Sequence, residues 1–303
     1  MATVAIKESK TDKIYLVINY LFLVIALIVV LYPLLYIISA SISDPKYVSS
    51  GEMWLFPKGL NLKGYKLVFD NPKIWSGYGN TIMYTVLGTM VNLVVTLPAA
   101  YSLSRPDFVG RKFFMGMFLV TMFFNGGLIP TYLLVKGLGL INSIGALILP
   151  TTVSVYNLIV ARTFFESSIP KELNEAAYID GCTNFKLFIR IIIPLSAPII
   201  AVMALFYGVG HWNSYFPALI YLNDEAKYPL QMILRQILVL QEMSADATGA
   251  ASGDAAIAMN NKAEIAAMVK YAVIIVSTLP IIVVYPFLQR YFVQGVMIGS
   301  VKG

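Results

Sequence analysis

Glu175-Ala176-Ala177-Tyr178-Ile179-Asp180-Gly181, with Ile191, Ile193 and Pro194 following, is a polar helix and turn set between long apolar segments. Pro170 suits a first helical turn, where its missing N–H has no partner to lose, and Lys171 to Tyr178 are mostly good helix formers. Gly181 tolerates the left-handed conformation that ends such a helix. Leu173, Ala176 and Ala177 fall at helical spacing and predict one small-residue face, with Glu172 and Glu175 beside it to pair with basic groups of a partner. The stretch reads as a docking helix across the mouth of a membrane protein. Beyond it, Phe185, Phe188 and Ile189 predict a second apolar stripe leading into a segment whose Pro194 and Pro198 remove backbone hydrogen bonds and predict a kink.

The surroundings justify the word membrane. Of 303 residues 58% are hydrophobic and 13% charged, and the mean hydropathy is +0.74, more apolar than a soluble core requires. A crossing takes about 20 helical residues. Windows of that kind fall near Ile14 to Ile42, Ser76 to Leu103, Phe113 to Val135, Ser143 to Phe164, Leu187 to Gly208 and Ile265 to Phe292. They predict an all-α membrane protein of six transmembrane helices, since none alternates apolar and polar residues as barrel strands do. The first window is too long for a signal-peptide core and no small-residue cleavage site follows it, so it is expected to stay as a helix. The single Cys182 gives neither an internal disulfide nor a metal-site spacing, and a net charge of +6 needs no nucleic-acid partner.

Several function classes drop out. No Asp or Glu lies in the central part of any window, whereas ion-coupled carriers usually hold ionisable groups at mid-membrane. There is no GxxxxGK[ST] loop to cradle a nucleotide, so any ATP is bound by another chain. HExxH and GxSxG are also missing, and His211, the only histidine, reads as a packed or capping residue rather than a ligand. The expectation is that the chain is not an enzyme.

Glu175-Ala176-Ala177, three residues, Gly181, nine residues, Ile191, one residue, Ile193-Pro194 resembles the cytoplasmic signature loop of the permeases of binding-protein-dependent ATP-binding-cassette importers. Ile193 stands where Leu is usual and Cys182 where Ala is common. Asn80-Thr81 to Thr85 with Ala99 to Arg105, Trp212-Asn213-Ser214-Tyr215-Phe216-Pro217, and the ending Gln289 to Gly295 with Gly299 to Gly303 resemble the subfamily typified by the second permease subunit of the maltose importer. They are also similar to permeases for fragments of plant or algal polysaccharides. The resemblance runs from the first span onward.

It implies a type I importer permease fold, with residues 168–186 as a coupling loop whose helix is cytoplasmic and seats in a groove of a separate ATPase. Glu175, Ala176, Ala177, Asp180 and Gly181, together with Lys302 and Gly303 of the tail, are then the ATPase-coupling residues. It further implies a homologous second permease subunit, two ATPase copies that bind ATP and Mg, an extracytoplasmic solute-binding protein and a sugar substrate, in the bacterial inner membrane among lipid. No cofactor is implied in this chain. The loop fixes the N- and C-termini inside. Lys7, Lys10, Lys13, Arg105, Arg111, Lys112, Arg162, Lys171, Lys186, Arg190, Arg290 and Lys302 then lie inside, a slight majority of the 22 basic residues.

The expected organisation is a cytoplasmic tail 1–13, a first span 14–42, an exterior loop 43–75, a core 76–292 and a tail 293–303. Within the exterior loop, Tyr65 to Phe69 suggests a short ordered element, and its five lysines read as solubilising. Trp212, Asn213 and Tyr215 are candidates for the sugar path because aromatic faces and amides suit hydroxylated rings, although Trp and Tyr also gather at membrane interfaces for structural reasons. Tyr156 and Asn157 are candidates as well, with an interhelical hydrogen bond as the alternative. Residues 241–264, rich in Ala, Gly, Ser, Asp and Asn, read as a flexible exterior loop. The subfamily resemblance implies that this loop, including Ala245, Asp246, Gly249, Gly253 and Asp254, enters the binding protein's cleft. Arg235, in an apolar stretch, is a candidate contact for an acidic sugar, a helix cap or a residue snorkelling to headgroups. The competing class is an ATPase-independent secondary carrier or channel for a small polar solute.

Overall fold

The computed structural model describes residues 9–248, 266, 268–286 and 289, without the side chains of Lys171 and 240–248. Among them every regular element is helical. Helix α1 (Lys10–Ser41) starts on a capping box in which the Ser9 Oγ accepts from the Asp12 N–H at 3.1 Å and the Asp12 carboxylate accepts from the Ser9 N–H at 2.9 Å. Helix α2 (Pro72–Ser104) starts with Pro72 at its first position, and Asn71 Oδ1 accepts from the Lys73 N–H. With α12 (Met268–Pro286), these are the helices long and apolar enough to cross a membrane unbroken.

The remaining windows are bent pairs instead of straight spans. Helices α3 (Arg111–Phe123) and α4 (Leu128–Gly137) meet at 114°, and the turn between them contains Gly126 and Gly127, the latter at φ +88°. Helices α5 (Ile144–Thr151) and α6 (Val155–Ser168) meet at 53°, and α8 (Asn184–Leu195) and α9 (Ala197–Trp212) at 82°. Each window of the sequence from Phe113 to Gly208 is thus corrected from one helix to two, and six crossings result if each pair counts as one. The kink expected at Pro194 and Pro198 is observed, and it is larger than a simple proline bend. Neither proline donates to the ladder, the turn Phe188–Ile192 opens to a π-helix, and the buried Ser196 Oγ donates to the Ile192 carbonyl at 2.7 Å.

Two compact units are present, one within Met1–Asp70 and Ile237–Val276, the other within Asn71–Gln236 and Ser277–Gly303. In the first, the chain after α1 folds back on that helix's end. The Ser39 Oγ donates to the Leu55 carbonyl at 2.6 Å and the Asn61 N–H donates to Ile42, ahead of a short helix, Lys63–Phe69, that contains the ordered element expected there. Apart from the half-buried Leu16, the apolar side chains of α1 from Ile14 to Leu31 are exposed, an amount of apolar surface that water does not tolerate and hydrocarbon does.

In the second unit α2 packs along α9 and α6. Leu97, Ala100, Tyr101, Leu158, Ala161, Ile192 and Met203 form its core with their neighbours. Polar side chains staple these helices where no water is available to compete. The buried Asn92 donates to the carbonyls of Thr151 and Thr152 at 2.8 and 2.7 Å, and its Oδ1 lies 2.6 Å from His211 Nε2. Thr96 Oγ1 and Tyr207 Oη are 2.8 Å apart, and Tyr207 also accepts from the Ser154 N–H. Helices α10 (Phe216–Tyr221) and α11 (Leu230–Thr248) follow α9. Helix α11 continues through Ala245 and Asp246, so the start of the segment expected as loop is helical.

Candidate functional site

The polar segment is a helix, α7 (Lys171–Ile179), and its ends have clear causes. Pro170 is the residue before the helix, at φ −60° and ψ 136°, one position earlier than expected. At the other end Gly181 sits at φ +68°, its N–H donates to Tyr178 at 3.0 Å and the Cys182 N–H donates to Ala177 at 2.8 Å. That pair of bonds is a Schellman cap.

The helix faces are divided differently from the expected small-residue face. Ala177 is buried and Leu173 half-buried against the core of Tyr101, Phe165, Leu187 and Phe188, while Ala176 is exposed. Their spacing therefore describes two faces: one holds α7 to its own chain, and the other carries the exposed Glu172, Glu175, Ala176 and Asp180. The expected stripe after the turn divides likewise, with Phe188 inside and Phe185 and Ile189 outside. Ile179 and Phe185, 87% and 76% exposed, flank the acidic residues with bare apolar side chains. Small groups and acids rimmed by exposed aliphatic and aromatic carbon suit a surface that another protein covers.

A residue outside the expected set locks this helix in place. Arg105 follows the last residue of α2 and its side chain is only 12% exposed. Its Nη1 donates to Tyr101 Oη at 3.1 Å and to Asn174 Oδ1 at 2.8 Å, its Nη2 to Tyr178 Oη at 3.1 Å, and its Nε and Nη2 grip the Asp107 carboxylate at 2.8 and 2.7 Å. The guanidinium also lies over the rings of Tyr101 and Tyr178 at 5.9 and 5.6 Å. Tyr101 adds its own hydrogen bond to Asn174 at 3.1 Å. The hydrogen bond from Arg105 holds Asp107 below the usual carboxylate range, and Asp107 pushes the guanidinium further up. Asn174 and Tyr178 lie one helical turn apart on α7, so one guanidinium reaches both. A cleft of about 680 Å³ opens beside it, lined by Arg105, Asp107, Arg111, Glu166, Glu175 and Tyr178 among others. Below it Glu166 binds both Arg111 and Arg162.

The residues proposed for the sugar path differ in their surroundings. Asn157 is buried and Tyr156 is 57% exposed on α6, so the two point to different surroundings. Trp212 is buried and donates from Nε1 to the Ser277 carbonyl at 3.1 Å. Asn213 ends α9 and is exposed, and Tyr215 is 37% exposed with the Arg235 guanidinium 5.2 Å from its ring centre. His211 is packed, held by Asn92 beneath the bare face of Gly88. A cavity of about 410 Å³ between α2, α9 and α12 was not foreseen. The buried hydroxyls of Thr85 and Thr89, without hydrogen-bond partners among the described residues, adjoin Gly208 and Trp212 in its wall. The four-residue spacing of Thr81, Thr85 and Thr89 was its signal. Gly249, Gly253, Asp254, Lys302 and Gly303 lie outside the described residues.

Residues 74–298 match the family described as binding-protein-dependent transport system inner membrane component. Protein LplC of Bacillus subtilis is 43% identical over 98% of this chain and 97% of its own length. The polygalacturonan/rhamnogalacturonan transport system permease protein YtcP of the same organism is 39% identical over 96% of this chain and 99% of its own. Among solved structures, a chain of a bacterial ABC transporter involved in the import of the acidic polysaccharide alginate is 33% identical and superposes with a TM-score of 0.83, covering 95% of this chain and all of that one.

Proposed function

Since the chain belongs to the family of binding-protein-dependent transport system inner membrane components, we propose that it carries an acidic oligosaccharide across the bacterial cytoplasmic membrane by alternating access. It pairs with a homologous second permease, receives the sugar from an extracytoplasmic binding protein, and is driven by two ATPase copies that hold ATP and Mg. The observation that carries this reading is α7: a capped polar helix, anchored by one face and exposing Glu172, Glu175, Ala176 and Asp180 on the other. ATPase closure pushes on that face and rocks the permease. In this reading α7 and both termini are cytoplasmic and the segment after α9 is outside. Residues 245–254 reach the binding protein there, and the Lys302–Gly303 tail meets the ATPases.

The substrate class rests on two supports. Two of the most similar proteins, the permease named for polygalacturonan/rhamnogalacturonan and the transporter described as importing alginate, are named for acidic polymers. Arg235, on the exterior side in this topology, is exposed and has a ring contact with Tyr215 but no carboxylate partner among the described residues. A guanidinium beside an aromatic face suits a uronate, whose carboxylate takes the forked donors while the ring stacks. The test is reconstitution in liposomes with the second permease, the ATPase and the binding protein. ATP-dependent uptake of a uronic oligosaccharide that needs all partners is expected, and uptake by this chain alone would overturn the reading.

A further inference from the structure

We propose that α2 is a rod clamped at both ends, which ties the position of α7 to that of the exterior segment 225–234 and so carries the signal between binding protein and ATPase. The inference rests on the function proposed above. At 1.5 Å per residue its 33 residues span about 50 Å, more than a bilayer's hydrocarbon core. The other helices packed around α7 are compliant, because α6 belongs to a pair bent by 53° and α8 to one bent by 82° through a π-turn. Helix α2 stays one continuous helix, its internal Pro98 included.

Its cytoplasmic end is tied to α7 by Arg105, whose forked donors engage α7 at Asn174 and Tyr178 and α2 at Tyr101. At the exterior end the ties go to backbone atoms. Asn80 Nδ2 donates to the carbonyls of Ala226 and Tyr228 at 2.7 and 3.1 Å, Tyr84 Oη donates to Lys227 at 2.8 Å, and the Leu230 N–H donates to the buried Thr81 Oγ1 at 2.8 Å. Gly77 permits the approach: a Cβ there would lie 2.5 Å from Ile233 Cδ1 and 3.1 Å from Leu230 Cα. Backbone capture fixes the segment itself, whatever its side chains do. Residues 230–234 then open α11, which leads toward the stretch proposed to meet the binding protein. A displacement imposed at either end therefore moves the other, and such coupling is reciprocal.

The test uses the whole reconstituted transporter and reads the ratio of ATP hydrolysis with loaded binding protein to hydrolysis without it, after co-purification shows assembly. For R105A this ratio is expected to fall about tenfold, within the usual range of inter-site coupling. R105K, which keeps the charge but not the fork, falls less. T81V, which removes the acceptor for Leu230 at nearly constant volume, also lowers the ratio although it lies at the opposite end. The double variant T81V/R105A is no worse than the poorer single one, because a rod released at one end transmits nothing. A wild-type ratio in assembled R105A, or losses that multiply in the double variant, would overturn the proposal. If R105A does not assemble, R105K and T81V carry the same test. A wild-type complex that ignores the binding protein would instead overturn the proposed function.

Discussion

The cap at Gly181 offers a graded test of how the docking helix is built. Its φ of +68° lies in the left-handed region, and a Cβ added there meets nothing within 4 Å. Substitution therefore carries no steric clash, only the backbone cost of that region, about 1–2 kcal/mol for an ordinary residue. Asn pays less, because its short amide tolerates the left-handed region, and a β-branched residue pays most. A cost of that size changes the population of the closed turn by about 5- to 30-fold, with loss of the two bonds from Gly181 and Cys182. Stimulated ATP hydrolysis and uptake by the assembled transporter should rank Gly181 first, then Gly181→Asn, Gly181→Ala and Gly181→Val. The order isolates backbone conformation from side-chain contact, since Asn is larger than Ala and yet is expected to do better. A Val variant as active as the Asn one would refute the argument, as would an Ala variant better than Asn.

Gly88→Ala places a Cβ 2.5 Å from His211 Nε2, against an imidazole already held by Asn92, so an overpacking cost of about 1–3 kcal/mol is expected as a lower Tm of the purified complex. Gly208→Ala meets only Thr89 Oγ1 at 3.6 Å and Thr85 Cγ2 at 3.9 Å, and serves as the control that keeps its Tm. Arg235→Gln should lower uptake of a uronic oligosaccharide by about tenfold relative to a neutral one of the same length, the worth of a charged hydrogen bond, and equal loss for both would count against a carboxylate contact. The Asp107 carboxylate is held below its usual range by Arg105, so the bond it supplies is present above the ordinary carboxylate range and lost only as pH falls through the lowered value. Coupling measured from pH 5 to 8 should show no step from this pair, whereas a loss centred near pH 5 would contradict its depressed pKa. Deleting 245–253 should impair uptake while co-purification with the ATPase persists; unchanged uptake would sink the role given to that segment.

What was legible in the chain follows the physics of each signal. Runs of apolar residues announce lipid-embedded helices whatever their neighbours do: α1 and α2 fall within a few residues of their expected windows, and the described part of α12 lies inside its own. A window average, however, cannot see direction. Gly126-Gly127 and Pro194…Pro198 leave the hydropathy high while they bend the chain, so two windows were read as straight that are not, and the third bends more sharply than its prolines announced. The same blindness divides the docking helix. Leu173, Ala176 and Ala177 share helical spacing, but which of them turns inward depends on where Tyr101, Phe165 and Phe188 arrive from other helices.

Arg105 shows the limit most clearly. In sequence it ended a resemblance motif and nothing more. Its partners lie up to 73 positions away, and only the fold brings the end of α2 under the face of α7. A docking helix held by apolar contacts alone is free to slide, because the non-directional contacts of Leu173 and Ala177 impose little register on what they touch. A planar fork with several directed donors imposes one. The exposed face of α7 can then present Glu175 to a partner in a fixed direction. A force applied there reaches α2 as displacement, with little lost in rotation of the helix.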